Sequence, residues 1–322
     1  MRAIVQDSYG TPDVLRSATI EQPEIAEHEV LLRVQAAGLD RGTWHLLTGT
    51  PYLMRIIGFG LRRPKNRVPG IDVAGTVVAV GSAVTTFKEG DEVFGMSRGS
   101  FAEYAAARAD KLAHKPANVT FEQAAVIGVS GGTALQALAA GGLQAGQRVL
   151  ITGASGGVGS YAVQLATAAG AHVTGVCGAG KRDLVRGLGA DEVLDYARDD
   201  FADGAQHYDL IIDIAGNSPL SRLRRALTPT GTAVIVGGES KGNLTGGIGR
   251  QVRAMMMTPF VGQRLTGLAA KERGSDSEIL AGHVAAGRVI PSIDRTYSLD
   301  EVPAAVRHLA AGRVNGKVAI SI

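Results

Sequence analysis

The sequence predicts an α/β protein, a doubly wound parallel sheet joined to a second, mainly β domain. Three observations carry this expectation. Residues 149–159, VLITGASGGVG, run from an apolar strand into a glycine-rich turn, and 160–169 continue as a helix. Downstream, nearly wholly apolar runs alternate with helical segments, as a parallel sheet covered on both faces requires. The first 120 residues instead show short strand-like runs broken by turn residues.

In order, strands are expected at 1–5, 29–36, 75–80, 92–95 and 101–106, with Gly10, Gly38, Gly81, Gly90, Asp91 and Gly99 between them. That pattern reads as an antiparallel, partly barrel-like domain. After the glycine turn come a strand at 171–177, a helix at 183–188 closed by Gly189, and a short strand at 192–196. A strand at 208–215, a helix at 220–227 and a buried strand at 232–238 follow. The tail holds a strand (294–298), a helix (299–311) and a last strand (318–322) that return to the first domain. The expected division is 1–120, completed by 265–322, and 121–264 as the nucleotide-binding unit.

Aligned on the G-x-G-x-x-G frame, the turn reads Ala154-Ser155-Gly156-Gly157-Val158-Gly159, with Gly153 one residue ahead of the first position. Glycines there let the backbone approach a pyrophosphate, and a helix N-terminus offers it free N–H groups. The same glycines would also serve a purely structural turn. The second strand ends in Cys177-Gly178-Ala179-Gly180-Lys181-Arg182, with no acid before Asp183. An acid at that place bonds the ribose 2′-hydroxyl of NAD, whereas cations suit the 2′-phosphate of NADP(H), which is favoured here. The two cations could also simply decorate the next helix. Ligands bind beyond the carboxyl ends of such strands, so Val236-Gly237-Gly238 and Ala215-Gly216-Asn217 are candidate walls for a nicotinamide.

A net charge of +3 is too small to imply nucleic acid. The basic cluster at 62–67, RRPKNR, reads as a solvated loop rather than an anion site. One cysteine, Cys177, permits neither an intramolecular disulfide nor a cysteine-based zinc cluster. The apolar stretch 124–143 is broken by glycines and reads as buried helix rather than a membrane span. A cytoplasmic protein without a membrane partner is expected.

With these residues in view, the chain resembles the medium-chain dehydrogenase/reductase superfamily in its zinc-independent quinone oxidoreductase branch. The likeness rests on AAGLDRGTWHLLTG (36–49), VPGIDVAGTVVAVGSAVTTFKEGDEVFG (68–95) and GSFAEYAAA (99–107). It continues in ITGASGGVGSYAVQLA (151–166), LGADEVLDY (188–196) and the tail IDRTYSLDEVPAAVRHLAAGRVNGKVAI (293–320). It implies a GroES-like substrate domain flanking a Rossmann domain. Zinc-dependent relatives place cysteine at the position of Asp40 and His-Glu at Ile71-Asp72. The histidines, 28, 45, 114, 172, 207, 283 and 308, show no ligand spacing, so no metal is expected.

Without a Lewis acid, an unactivated alcohol is a poor substrate. Reducing a quinone or an α,β-unsaturated carbonyl places charge on an enolate or phenolate oxygen, which hydrogen bonds can hold. The implied activity is therefore NADPH-dependent reduction of such a compound. A zinc-free alcohol or aldehyde oxidoreductase and a non-catalytic NADPH-binding sensor or scaffold are the alternatives.

By resemblance, Ser155, Gly156, Gly157 and Val158 form the pyrophosphate turn. Gly178, Lys181, Arg182 and Tyr196 lie near the 2′-phosphate. Thr133, Gly216, Val236, Gly237 and Gly238 lie toward the nicotinamide, and Lys317 is a lysine of the cofactor cleft. Asp40 stands where this branch usually has asparagine beside the nicotinamide ribose. With Trp44 and Tyr52 it makes up the candidate catalytic set. The segment 51–69 is either a lid over the site or a packed surface turn. Met255, Met256 and Met257 are adjacent on a helix and cannot share one face, which favours core or interface packing. A homodimer is expected through the uncharged strand 232–238, taken as an open sheet edge unless 244–260 folds back over it.

Overall fold

The structure, a computed structural model, describes residues 1–53, 55–237 and 246–322. The chain forms two compact units, Met1–Gly132 with Glu272–Ile322, and Thr133–Lys271. The first boundary, at 132, lies 12 residues past the expected 120, and the second, at 271, lies 7 past the expected 264.

The first unit opens with the antiparallel ribbon β1 (Arg2–Val5) and β2 (Arg16–Thr19). Its organising strand is β3 (Glu29–Leu39), longer than the expected 29–36 and buried along most of its length. Helix α1 (Arg41–Thr48) follows at once. Asp40 caps it, Oδ1 accepting from the Thr43 amide at 2.8 Å, and Gly49 ends it in the left-handed region at φ 62°. Next come β4 (Asp72–Val80), β5 (Glu92–Met96), β6 (Tyr104–Arg108) and β7 (Leu112–His114). Helix α2 (Phe121–Ala124) starts with a capping box made by Thr120 and Gln123, and α3 (Gly128–Gly141) carries the chain into the second unit.

In the second unit the order is β8 (Arg148–Thr152), α4 (Gly157–Ala168), β9 (His172–Cys177), α5 (Arg182–Gly187), β10 (Glu192–Asp195) and β11 (Tyr208–Asp213). Then come α6 (Leu220–Ala226), β12 (Leu227–Ile235), α7 (Ile248–Met257) and β13 (Arg264–Gly267). The six strands are parallel, in the spatial order β10-β9-β8-β11-β12-β13. The reversal of strand order between β8 and β11 is the switch point of a doubly wound sheet, where a crevice opens beyond the strand ends. Ile211, Ala233, Leu265 and Leu223 are among the buried side chains of its core.

One expectation is overturned here. The strand taken as an open edge is interior: β12 pairs with β11 on one side and with β13 on the other, Thr232 to Arg264 through Ile235 to Gly267. The short run RLTG lacks a strong apolar period, which hid it. The chain beyond α7 supplies the outer strand, so the edge belongs to β13.

The tail supplies α8 (Gly274–Ala285), β14 (Ile293–Ser298), α9 (Val302–Ala310) and β15 (Lys317–Ser321) to the first unit. Strand β15 inserts between β14 and β3, completing the order β14-β15-β3-β4-β5-β7, with β6 on β3. Leu39, Leu47, Phe101, Val302, Val306 and Ile320 form one buried cluster, so the two chain ends share a core. Among the described residues no helix is long and apolar enough to cross a membrane.

Candidate functional site

The turn between β8 and α4 is built by backbone constraint. Gly153 is left-handed (φ 70°), the Ala154 amide donates to the Val176 carbonyl at 3.1 Å, and the Gly156 amide donates back to Gly153 at 3.0 Å. A Cβ on Gly159 would lie 2.1 Å from the Gly153 carbonyl oxygen, so only glycine lets the helix start this close to the strand. Gly156 is the N-cap and the first helical bond runs from the Ser160 amide to its carbonyl. The amides of Gly157, Val158 and Gly159 precede that bond and point out of the helix end. Ser155 is buried within the turn.

Beside it, β9 ends at Cys177, Gly178 leads into a short turn, and the Lys181 amide donates to the Gly178 carbonyl at 2.9 Å. Tyr196 stands next to this turn, its hydroxyl 3.4 Å from where a Gly178 Cβ would be, and its ring is largely exposed. Arg182 is turned back instead, Nη2 donating to the Val193 carbonyl at 3.3 Å. The sequence pairs Arg182 with Lys181. The fold spends part of Arg182 on Val193 of β10 (Glu192–Asp195).

At the carboxyl ends of β8 and β11 lies a polar network that the sequence did not announce. Thr152 Oγ1 donates to Asp213 Oδ1 at 2.7 Å and accepts from the Ala215 amide at 3.2 Å. Arg250 binds the other oxygen of Asp213 at 2.5 Å and donates to the Ser218 carbonyl at 2.5 Å. Asp213 is completely buried. It ends the mostly apolar strand YDLIID, in which the acid that follows the hydrophobic run 210–212 was the available signal. The network fixes the loop bearing Gly216, itself left-handed at φ 69°. The amides of Val236 and Gly237 both donate to the Asp213 carbonyl, and a Cβ on Gly237 would lie 1.8 Å from the Ile214 carbonyl oxygen. Gly238 lies outside the described residues. Thr133 opens this unit within α3.

The first unit holds a polar group of its own. Lys317, at the start of β15, is buried, and its ammonium donates to Ser130 Oγ at 3.0 Å and to Asp72 Oδ2 at 3.3 Å. Asp72 has no exposed surface, and its Oδ1 accepts from the Val129 amide at 2.7 Å. Burial, opposed by Lys317 and reinforced by the nearby Asp40 carboxylate, pushes the Asp72 carboxyl up to about 7. Gly38 and Gly128 make room for it, since a Cβ on either would come within 2.8 Å of the Asp72 side chain. Lys317, expected to serve a cofactor cleft, is thus engaged inside its own unit. Asp40 is buried too; Oδ1 caps α1 while Oδ2 has no hydrogen-bond partner.

Trp44 packs against the core shared by the chain ends. Tyr52 is partly exposed, its ring under the Arg55 guanidinium at 4.7 Å. Among the described residues, no three of His, Cys, Asp and Glu converge as a metal-ion cluster would require.

Residues 26–117 match the alcohol dehydrogenase GroES-like domain, and 188–320 match the zinc-binding dehydrogenase family model. The 2-methylene-furan-3-one reductase of Solanum lycopersicum is 31% identical over 336 residues, covering 99% of this chain and 79% of that protein. The quinone oxidoreductase of Homo sapiens is 32% identical over 324 residues, covering 97% and 94%. Among solved structures, a mycobacterial protein complexed with NADPH superposes with a TM-score of 0.85 at 26% identity, covering 100% of both chains.

Proposed function

The chain belongs to the medium-chain dehydrogenase/reductase superfamily, in its quinone oxidoreductase branch, and from that premise we propose that it reduces a quinone or an α,β-unsaturated carbonyl with NADPH and without a metal ion. The observation that carries the metal-free part is Asp72. It occupies the position where zinc-dependent relatives carry an acid, and both of its oxygens are taken, by the Val129 amide and by Lys317. Asp40, at the cysteine position, spends one oxygen on a helix cap.

The residues present fit the cofactor. The outward amides of Gly157 and Val158, with Ser155 and Gly156 beside them, suit a pyrophosphate. Gly178, Lys181 and Tyr196 suit an adenosine 2′-phosphate, with Arg182 as a second cation only if it leaves Val193. Val236, Gly237, Gly216 and Thr133 are the proposed surroundings of the nicotinamide. When bound, the cofactor supplies the hydride. The chain's part is to hold its acceptor in place and to steady the oxygen that gains charge. Asp40 Oδ2, buried and without a partner, can accept a hydrogen bond from a ribose hydroxyl. Trp44 and Tyr52 are proposed to supply aromatic surface on the substrate side.

The human and tomato relatives support the substrate class, because their names specify a quinone and a conjugated ketone. The proposal includes a homodimer, moved from β12 to the edge strand β13. It is supported by an apolar patch beside that strand, where Met256 and Phe260 are 68% and 87% exposed while Met257 packs inward. It also includes a reducing, cytoplasmic setting, consistent with the single buried Cys177.

NADPH oxidation against a panel of quinones, enones and aldehydes, with elemental analysis of the same preparation, tests the reading. Turnover of quinones or enones by zinc-free protein is expected. Turnover of alcohols or aldehydes alone, or stoichiometric zinc, would refute it. NADPH binding without turnover of any acceptor would indicate a sensor instead.

A further inference from the structure

We propose that the loop at 55–65 docks the protein on an anionic lipid surface. The loop is a built element of the first unit. The Arg55 guanidinium lies over the Tyr9 ring at 4.3 Å and donates to the carbonyls of Gly49 and Thr48 at 2.7 and 3.1 Å. The Tyr9 hydroxyl reaches the carbonyls of Phe59 and Gly60 at 2.8 and 2.7 Å. The Lys65 amide closes the loop on the Phe59 carbonyl at 2.9 Å. Gly60 turns it with φ 107°, and a Cβ there would strike the Arg63 carbonyl at 2.2 Å.

This held backbone presents an unusual set of side chains. Ile56 is 72% exposed and Leu61 67% exposed. A single exposed aliphatic residue is ordinary, but two on one fixed loop have no folding reason to be there. Arg62 and Arg63 stand at the loop tip and Lys65 at its neck, all exposed. None of the three makes an ion pair among the described residues, whereas Arg67, just beyond, is held by Asp7 at 2.6 Å. Apolar side chains flanked by unneutralised cations match the boundary between acyl chains and anionic headgroups. A fixed loop loses little conformational freedom on docking. The sequence reading expects a solvated loop and no membrane partner. That expectation concerned charge alone and spanning segments, and neither shows Ile56 and Leu61 exposed on the same loop as the cations.

The test is co-sedimentation of the full chain with vesicles of phosphatidylcholine, with and without phosphatidylglycerol. Binding to the anionic vesicles alone is expected, weakening as salt rises. Replacing Arg62, Arg63 and Lys65 together by glutamine should weaken it by on the order of a hundredfold at low salt, since each cation near such a surface contributes about 1 kcal/mol. Ile56→Ser with Leu61→Ser should weaken it as well, with the circular dichroism spectrum and Tm of each variant unchanged. No binding to anionic vesicles, or binding indifferent to both sets of substitutions, would overturn the proposal. So would a serine variant that changes the mass in solution but not vesicle binding, because the loop would then be a contact between copies of the chain.

Discussion

The ammonium of Lys317 and the carboxylate of Asp72 meet at 3.3 Å with essentially no access to water, across 245 residues of sequence. Such a pair gains little over a well-packed apolar pair, because each charge must first leave solvent. Breaking it from one side is costly, because the survivor stays buried. Here a second carboxylate, Asp40, lies close enough to raise the Asp72 pKa. The group therefore holds two acids against one base.

Lys317→Met should destabilise the protein by about 3–5 kcal/mol, the usual cost of stranding one buried charge. Urea denaturation measures it. The double variant Asp72→Leu with Lys317→Met should recover much of that loss. A double variant no better than the single would mean that packing, not charge, is what Lys317 contributes.

The contribution of Asp72 to stability should fall as pH rises from about 4 to about 7. Asp72 is raised in the folded protein from an ordinary 3.8 to about 7, so within this window the folded state holds a proton that the unfolded state has released. Its contribution is complete below about pH 4 and lost above about pH 7. The slope from this one group is at most about 1.4 kcal/mol per pH unit. Asp72→Asn should flatten the profile of Tm against pH in this range.

NADPH should bind roughly ten- to a hundredfold more tightly than NADH, the worth of one charge-assisted phosphate contact. Fluorescence titration of both cofactors checks it. Lys181→Ala should narrow the gap.

Gly237→Ala should cost several kcal/mol and weaken cofactor binding together. Its new methyl group would fall 1.8 Å from the Ile214 carbonyl oxygen, so the ends of β11 and β12 must separate. Ala at Gly180, where a Cβ meets nothing within 4 Å, is the control and should leave stability within about 0.5 kcal/mol.

Light scattering at micromolar concentration should report a dimer, and Phe260→Asp should shift it to the 33.3 kDa of one chain. A wild-type mass already at that value would mean that the patch beside β13 is not an interface.

The parallel sheet was legible because its strands are apolar on both faces and its turns use glycine. The glycine turn at 153–159 could be read position by position for the same reason. Strand β13 and helix α1 were missed, since RLTG and RGTWHLLT carry weak local signals and their neighbours define them. The Asp72–Lys317 pair and the Thr152–Asp213–Arg250 network were beyond the sequence for a different reason. Each joins residues distant in the chain, and only the register of β15 beside β3, or of β11 beside β8, brings them together.

That register has a consequence for how the polypeptide is made. Val318 pairs with Leu39 and Ser321 with Ala36, so the last four residues of β3, beyond the stretch that β6 covers, gain their second neighbour only when β15 has left the ribosome. The six-stranded sheet, continuous between Thr133 and Lys271, can form earlier. Until β15 arrives, the flank of β3 at 36–39 is an open seam in a nascent protein, and the ammonium that compensates Asp72 has not yet been translated. Stalled or prematurely terminated chains should therefore be recognised by chaperones at the first unit while the second is already native.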